Sequence, residues 1–146
     1  MMASEQTTRE LVERYVAALP SDFDALARLR HADFVEEWPQ SGERIRGHEK
    51  YRAIHETYPG GMPTASDPSI RSTEDTWVLT PLFTPLRIAG SGNTYFIELR
   101  LHYPGGDSAH AIAIVEVRDG KVARQTTYFA APFEAPAWRA PLVEKM

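Results

Sequence analysis

Residues 94–129 read TYFIELRLHYPGGDSAHAIAIVEVRDGKVARQTTYF. This stretch decides the fold, because it spells three consecutive antiparallel strands with both turns visible. Asp119-Gly120 divides Ile112–Arg118 from Lys121–Phe129, and Asp-Gly supplies the positive φ angles of a two-residue hairpin loop. That loop predicts Arg118 opposite Lys121, Val117 opposite Val122, Val115 opposite Arg124 and Ala113 opposite Thr126. The earlier turn, Pro104-Gly105-Gly106-Asp107, predicts Tyr103 opposite Ser108 and therefore Glu98 opposite Ala113.

Side chains alternate across a strand, so this register sorts the ribbon into two faces. One carries Tyr95, Ile97, Leu99, Leu101, Tyr103, Ile112, Ile114 and Phe129. The other carries Phe96, Glu98, Arg100 and His102, the row Ala109, Ala111 and Ala113, then Val115, Val117, Val122, Thr126 and Tyr128. A sheet with water on one side alternates apolar with polar. Neither face here is simply polar, so both are expected to be covered, one by the chain's own helices and the other by a second copy. A homodimer through the sheet is the partner this predicts.

The flanking sequence supplies those helices. Thr7 and Glu10 have capping-box spacing and open a helix through about Leu19, with Leu11, Val12, Tyr15, Val16 and Leu19 as its apolar stripe. Pro20 ends it. Asp22 caps a second helix, Phe23 to about His31. Phe34–Trp38 reads as a short strand, turned by Pro39-Gln40-Ser41-Gly42 toward Glu43–Arg46. Gly47 precedes a third helix of about ten residues bearing Tyr51, Ile54 and Tyr58, stopped by Pro59-Gly60-Gly61. Met62–Pro68 is expected to be a loop, with strands over Ile70–Leu79 and Leu82–Ile88 and an edge or bend at Pro81 and Pro85. Gly90–Asn93 turns into the ribbon. Residues 132–146 form a proline-stiffened tail whose Phe133 and Trp138 are expected to dock at a pocket mouth or across a subunit boundary.

The 146 residues fit one domain, 1–146, with a hydrophobic fraction of 42% and a charged fraction of 25%, both ordinary for a globular protein. A formal net charge of −4 without a basic run argues against nucleic acid or an anionic membrane as partner. The absence of cysteine removes disulfides, thiol nucleophiles and thiolate metal sites. No apolar run approaches transmembrane length and the first residues lack the pattern of a signal peptide, so the expected location is cytoplasmic. His31, His48, His55, His102 and His110 do not fall into a metal-binding spacing, and no phosphate loop, dinucleotide fingerprint or nucleophile elbow occurs. Neither metal nor cofactor is expected.

Two helices, a short hairpin, a helix and then a curved antiparallel sheet make an α+β layout. Val-Arg-Asp-Gly-Lys-Val over 117–122 with Tyr128-Phe129 behind it, and Trp38-Pro39-Gln40-Ser41-Gly42 before Arg46-Gly47, resemble the cone-shaped fold of the nuclear transport factor 2-like (NTF2-like), SnoaL-like polyketide cyclase and ketosteroid isomerase families. The likeness spans roughly Thr7 to Phe133. Residues 12–19, Asp22-Phe23-Asp24 and Val35-Glu36-Glu37 before Pro39 are further similar to bacterial ketosteroid isomerases. In that family a first-helix tyrosine donates to the oxyanion, and the carboxylate just before the proline of Val-Glu-Asp-Pro shuttles the proton. Tyr15 falls on the tyrosine. Glu37 falls on the base if Trp38 is counted as an insertion, and Trp38 itself falls there if it is not. The third residue, an oxyanion-side aspartate, lands on Ala113.

The resemblance implies a pocket for a small apolar molecule with a carbonyl or ring, worked on by cofactor-free acid/base chemistry: isomerisation, cyclisation, dehydration or hydrolysis. The alternative is a binding or accessory domain without chemistry. Tyr15, Glu37 and His102 are the candidate catalytic residues. Trp38, Glu98, Arg100, Tyr128 and Trp138 are the candidate substrate contacts. Each has a plainer reading: Tyr15 as core packing, Glu36 and Glu37 as a solvated pair, and Glu98, Arg100 and His102 as a row of surface ion pairs. Glu36 and Glu37 point to opposite faces of their strand, so only one of them enters a pocket.

Overall fold

The computed structural model describes residues 5–72 and 92–146. Three helices come early: α1 (Glu5–Ala18), α2 (Phe23–Leu29) and α3 (His48–Glu56). Asp22 caps α2 by accepting from the Ala25 amide at 3.2 Å. Gly47 opens α3 at φ 89°, a left-handed conformation that favours glycine. Strands β1 (Arg30–Trp38), β2 (Glu43–Arg46), β3 (Thr64–Ser72), β4 (Thr94–His102), β5 (Ser108–Arg118) and β6 (Lys121–Ala130) form one sheet in the order β2-β1-β6-β5-β4-β3. All neighbours are antiparallel except β1 and β6, which run parallel. Register shifts within β1/β6, β3/β4 and β5/β6 add local twist, and the sheet curls into the open curved form of a cone-shaped α+β fold.

The Asp119-Gly120 turn is as expected, with φ 52° and 74°, and it pairs Arg118 with Lys121 and Val117 with Val122. Beyond those pairs the expected register fails by one residue. A bulge at Ala123 in β6, between Val122 and Arg124, moves Val115 opposite Gln125 and Ala113 opposite Thr127. The other turn is a three-residue loop, Pro104–Gly106, closed by the Tyr103 amide donating to the Asp107 carbonyl at 2.8 Å, with Gly106 at φ 95°. His102 therefore faces Ser108, and Glu98 faces Ile112.

A slip of one residue exchanges the faces of a strand. Tyr95, Ile97, Leu99 and Leu101 share their face with Val115, Ala113, Ala111 and Ala109, and with Gln125, Thr127 and Phe129. This is the inner face, and α1 packs on it: Leu11, Val12, Tyr15, Val16 and Ala18 are buried in one cluster with Ile97, Val115 and Val122. The leucine, valine and isoleucine side chains among them contribute about 1.5–3 kcal/mol each when fully buried, relative to exposure. Glu98, Arg100, His102, His110, Ile112 and Tyr128 lie on the opposite, outer face, where all six are exposed.

Three further expectations are corrected. Residues 64–68, read as loop, belong to β3, because pairing with β4 outweighs their weak strand propensity. β1 starts four residues before Phe34, drawn out by its pairing with β6. The tail makes a short 3₁₀ turn at Ala137–Leu142, and Phe133 and Trp138, 81% and 75% exposed, do not dock at the cavity mouth of their own chain. The expected strand over Leu82–Ile88, the end of that over Ile70–Leu79, Pro81, Pro85 and the start of the Gly90–Asn93 turn lie outside the described residues. Among the described residues, no helix is long and apolar enough to cross a membrane.

Candidate active site

Phe34, Glu36 and Trp38 alternate onto the inner face of β1, and Phe34 and Glu36 are buried. Glu36 and Trp38 form one wall of a cavity of about 290 Å³ between the concave sheet and α3. Ala111 and Ala113 create the space, because larger residues there would fill it. Leu99, Leu101 and Phe129 complete the sheet side, while Ile54 and His55 close it from α3. At one end the Tyr58 and Tyr103 rings stand 5.8 Å apart, and burial together with a hydrogen bond to Tyr58 pushes the Tyr103 phenol up to about 12. The loops behind them pack closely: a Cβ on Gly61 would stand 3.0 Å from Cγ of Pro104.

A directional chain of hydrogen bonds runs behind the cavity wall. It begins at Arg30, 3% exposed, whose guanidinium lies 3.8 Å from the Tyr51 ring centroid and 4.1 Å from that of Phe34. Arginine only donates. Its Nε–H donates to the Tyr15 hydroxyl at 3.0 Å, and the Tyr15 O–H is thereby aimed at Gln125 Oε1, 2.6 Å away. With its oxygen so engaged, Gln125 turns its Nε2 toward Glu36 Oε2 at 3.1 Å and Thr127 Oγ1 at 2.9 Å. The Thr127 hydroxyl in turn donates to Glu36 Oε2 at 2.7 Å. Arg30 thus sets the sense of every bond down to the carboxyl. A second guanidinium nitrogen donates to Nδ1 of His48 at 3.0 Å, which fixes that imidazole as a neutral acceptor.

Glu36 Oε2 accepts two donors, while Oε1 is buried without a protein partner. When the carboxyl is protonated, its proton therefore belongs on Oε1. Burial raises the Glu36 pKa; the Thr127 hydroxyl, the Arg30 charge and the nearby Trp38 indole pull the other way without cancelling it. The Trp38 Nε1–H is also buried and favours the ionised Glu36 carboxyl without reaching full hydrogen-bond geometry to any group, and its ring packs edge-on against Phe129 at 6.0 Å. His55 donates from Nδ1 to the Tyr51 carbonyl at 2.9 Å and stacks on the Tyr51 ring at 4.0 Å. Burial and the Arg30 charge lower its pKa, against the pull of that hydrogen bond, so the ring is neutral near pH 7. Among the described residues, no group of three or more His, Asp or Glu side chains is arranged to hold a metal.

The predicted site residues separate. Tyr15 is fully buried behind Gln125 and does not line the cavity; burial, more than the opposing Arg30 charge, pushes its phenol up to about 12. Trp38 lines the cavity. Glu37 points to the other face, paired with Arg44 at 2.9 Å and with Arg124. Glu36 takes the inward position instead, because it shares strand parity with Phe34 and Trp38. Glu98, Arg100, His102 and Tyr128 share one face, as expected, and it is the outer one, away from the cavity; Trp138 lies in the exposed tail. Parity with two apolar neighbours was a readable signal for Glu36. For His55 it was the helical spacing from Tyr51. Gln125 and Thr127 share the parity of Phe129, but their places opposite Val115 and Ala113 depend on the bulge, which nothing local in the sequence announces.

Comparison with known proteins agrees with this architecture. The SnoaL-like domain family matches residues 12–125. A structure of an NTF2-like protein of unknown function from Burkholderia xenovorans LB400 superposes with a TM-score of 0.67 at 34% identity, over 97% of each chain. A candidate ketosteroid isomerase from Kribbella flavida DSM 17836 gives 0.66 at 26% identity, over 97% of this chain and 90% of that one. A candidate polyketide cyclase from Pseudomonas putida KT2440, at 22% identity and a TM-score of 0.60 over 83% and 90%, shares the fold. No curated protein sequence matches the chain. From the family match over most of its length and the 34% identical relative, this chain belongs to the SnoaL-like family of the NTF2-like superfamily.

Proposed function

We propose that the protein is a cofactor-free acid/base enzyme that moves a proton next to the carbonyl of a small apolar molecule, with Glu36 as the proton-exchanging group. One observation carries the reading: a buried carboxyl in the cavity wall has one oxygen saturated by donors and the other without a protein partner. A cavity serving only to hold an apolar ligand has no need of such a group, whose burial is costly. A carboxyl with a raised pKa is closer in basicity to the task of taking a proton from carbon at neutral pH.

In this mechanism ionised Glu36 takes the proton on Oε1 while the Gln125 and Thr127 donors hold Oε2 in place. The Trp38 indole N–H, two residues along the same strand face, donates to the carbonyl oxygen as negative charge develops there. The proton then returns to the carbon skeleton at a second position, so the net change is isomerisation and no co-reactant is consumed. Apolar walls keep out water that would weaken both interactions. The likeness to a candidate ketosteroid isomerase is compatible with this chemistry.

The test is exchange of the α-protons of small ring ketones in D₂O, followed by NMR. Turnover by the native protein should fall by about 10²–10⁴ in Glu36→Gln, with ketone binding retained. If Glu36→Gln exchanges protons as fast as native protein, the assignment is wrong. If ketones bind and nothing exchanges, the binding-domain reading takes its place.

We also infer a homodimer through the outer face of the sheet. Ile112 and Tyr128, 46% and 38% exposed, are paired neighbours there and form the start of an apolar patch.

A further inference from the structure

The cavity contains a recognition group that proton transfer at Glu36 does not use. His55 lies on α3, across the cavity from the sheet. Its Nδ1 is committed to the Tyr51 carbonyl, which only accepts, so Nδ1 must carry the ring hydrogen. Nε2 of the same ring then presents a lone pair, and no described residue donates to it. The ring cannot swing away cheaply, because it is stacked on Tyr51 at 4.0 Å and set edge-on to Phe23 at 6.5 Å. The imidazole is therefore a fixed hydrogen-bond acceptor in a wall otherwise built of Ile54, Leu19 and aromatic rings.

The sheet side has the opposite character. Trp38 Nε1 is a donor without a partner, and Glu36 Oε1 is the proton acceptor of the proposed reaction. One wall offers a donor to a ligand oxygen, and the facing helix offers an acceptor to a ligand hydrogen. We propose that His55 selects the substrate: the cavity takes small, apolar hydroxy-carbonyl compounds, the carbonyl against Trp38 and Glu36 and a hydroxyl, set at the far end of a hydrocarbon ring frame, donating to His55 Nε2. A cavity of about 290 Å³ suits a ligand on the order of ten to fifteen non-hydrogen atoms. This deepens the proton-transfer reading by naming its substrate class, and it rests on the ligand occupying that same cavity.

Three matched probes test it by isothermal titration: α-tetralone, its phenolic derivative hydroxylated para to the carbonyl, and the methyl ether of that phenol. The phenol should bind native protein about tenfold more tightly than the ketone or the ether, the worth of one buried hydrogen bond. In His55→Phe, which keeps a flat ring against Tyr51, that preference should vanish. In His55→Gln, which restores an acceptor, it should partly return. Glu36→Gln should keep the preference. Equal binding of phenol and ether by native protein, or a preference that survives in His55→Phe, overturns the assignment. Failure of all three probes to bind overturns it together with the cavity as the binding site. A preference that behaves as expected while no probe exchanges protons removes only the acid/base reading and leaves His55 as the selector.

Discussion

Replacing Tyr15 by phenylalanine tests whether the buried chain from Arg30 to Glu36 works as a unit. The substitution removes one hydroxyl and two hydrogen bonds, that from Arg30 at 3.0 Å and that to Gln125 at 2.6 Å. A bond to a charged group is worth about 1.5–3 kcal/mol and a neutral one about 0.5–1.5 kcal/mol. Neither abandoned partner reaches water: Arg30 and Gln125 are 3% and 4% exposed, and Arg30 already has one nitrogen without a partner. The loss should therefore be about 3 kcal/mol, which lowers Tm by about 6–12 °C for a chain of this size. Tyr51→Phe is the control. Its hydroxyl donates to the Pro20 carbonyl at 2.7 Å, and losing that bond should cost about 1 kcal/mol. The chain argument adds a second expectation. With Gln125→Leu already present, Tyr15→Phe should cost at least about 1 kcal/mol less than it does alone, since one of its two bonds has gone. Urea unfolding of the five proteins (native, the three single variants and the double variant), followed by circular dichroism, gives these differences directly. Because Tyr15 is a positioning residue, proton exchange should fall about tenfold, the effect of a freed Gln125 amide, rather than the 10²–10³ of a lost oxyanion donor. A cost under about 1 kcal/mol that is the same in both backgrounds would refute the relay. So would a thousandfold loss of turnover at unchanged stability, which would put the phenol on the substrate.

Two other outcomes follow from the same features. Glu36 has its folded-state pKa raised above the 4.5 of an exposed glutamate, chiefly by burial. Its contribution to stability is therefore complete below about pH 4.5 and is lost as pH rises through the folded-state value; Glu36→Gln should gain on native protein in thermal melts from pH 4 to pH 8, and a constant difference across that range would contradict the raised pKa. Light scattering of the native chain should give twice 16.4 kDa, and Ile112→Glu on the outer face should return it to the monomer mass with the fold retained; a native monomer at micromolar concentration would remove the dimer.

Much of the fold is legible in the chain because its signals are local. Asp119-Gly120 demands positive φ at both positions whatever surrounds it, and the structure has it at both. Leu11, Val12, Tyr15 and Val16 form a helical stripe, Asp22 is a cap, and Pro39–Gly42 turns the first strand; each depends on a few neighbouring residues. The inward glutamate was within reach too, since alternation places Glu36, not Glu37, between Phe34 and Trp38.

The site was decided elsewhere. A loop of three residues instead of four at Pro104–Gly106, and Ala123 bulged out of β6 after Val122, each moved a pairing by a single step. In a strand a single step is a change of face. It carried Ala111 and Ala113 into the cavity beside Leu99 and turned Ile112 and Ile114 to the outer face with Glu98, Arg100, His102 and Tyr128. Residue composition sets which strands form. Which of their two faces meets the helices is a property of the whole sheet, settled by the pairing that buries the most apolar surface while leaving the fewest polar groups unbonded. Tyr15, Arg30 and Glu36 are close in the chain, but Gln125 and Thr127, which join them into one relay, lie about ninety residues from Glu36, and only the closed tertiary structure brings them together.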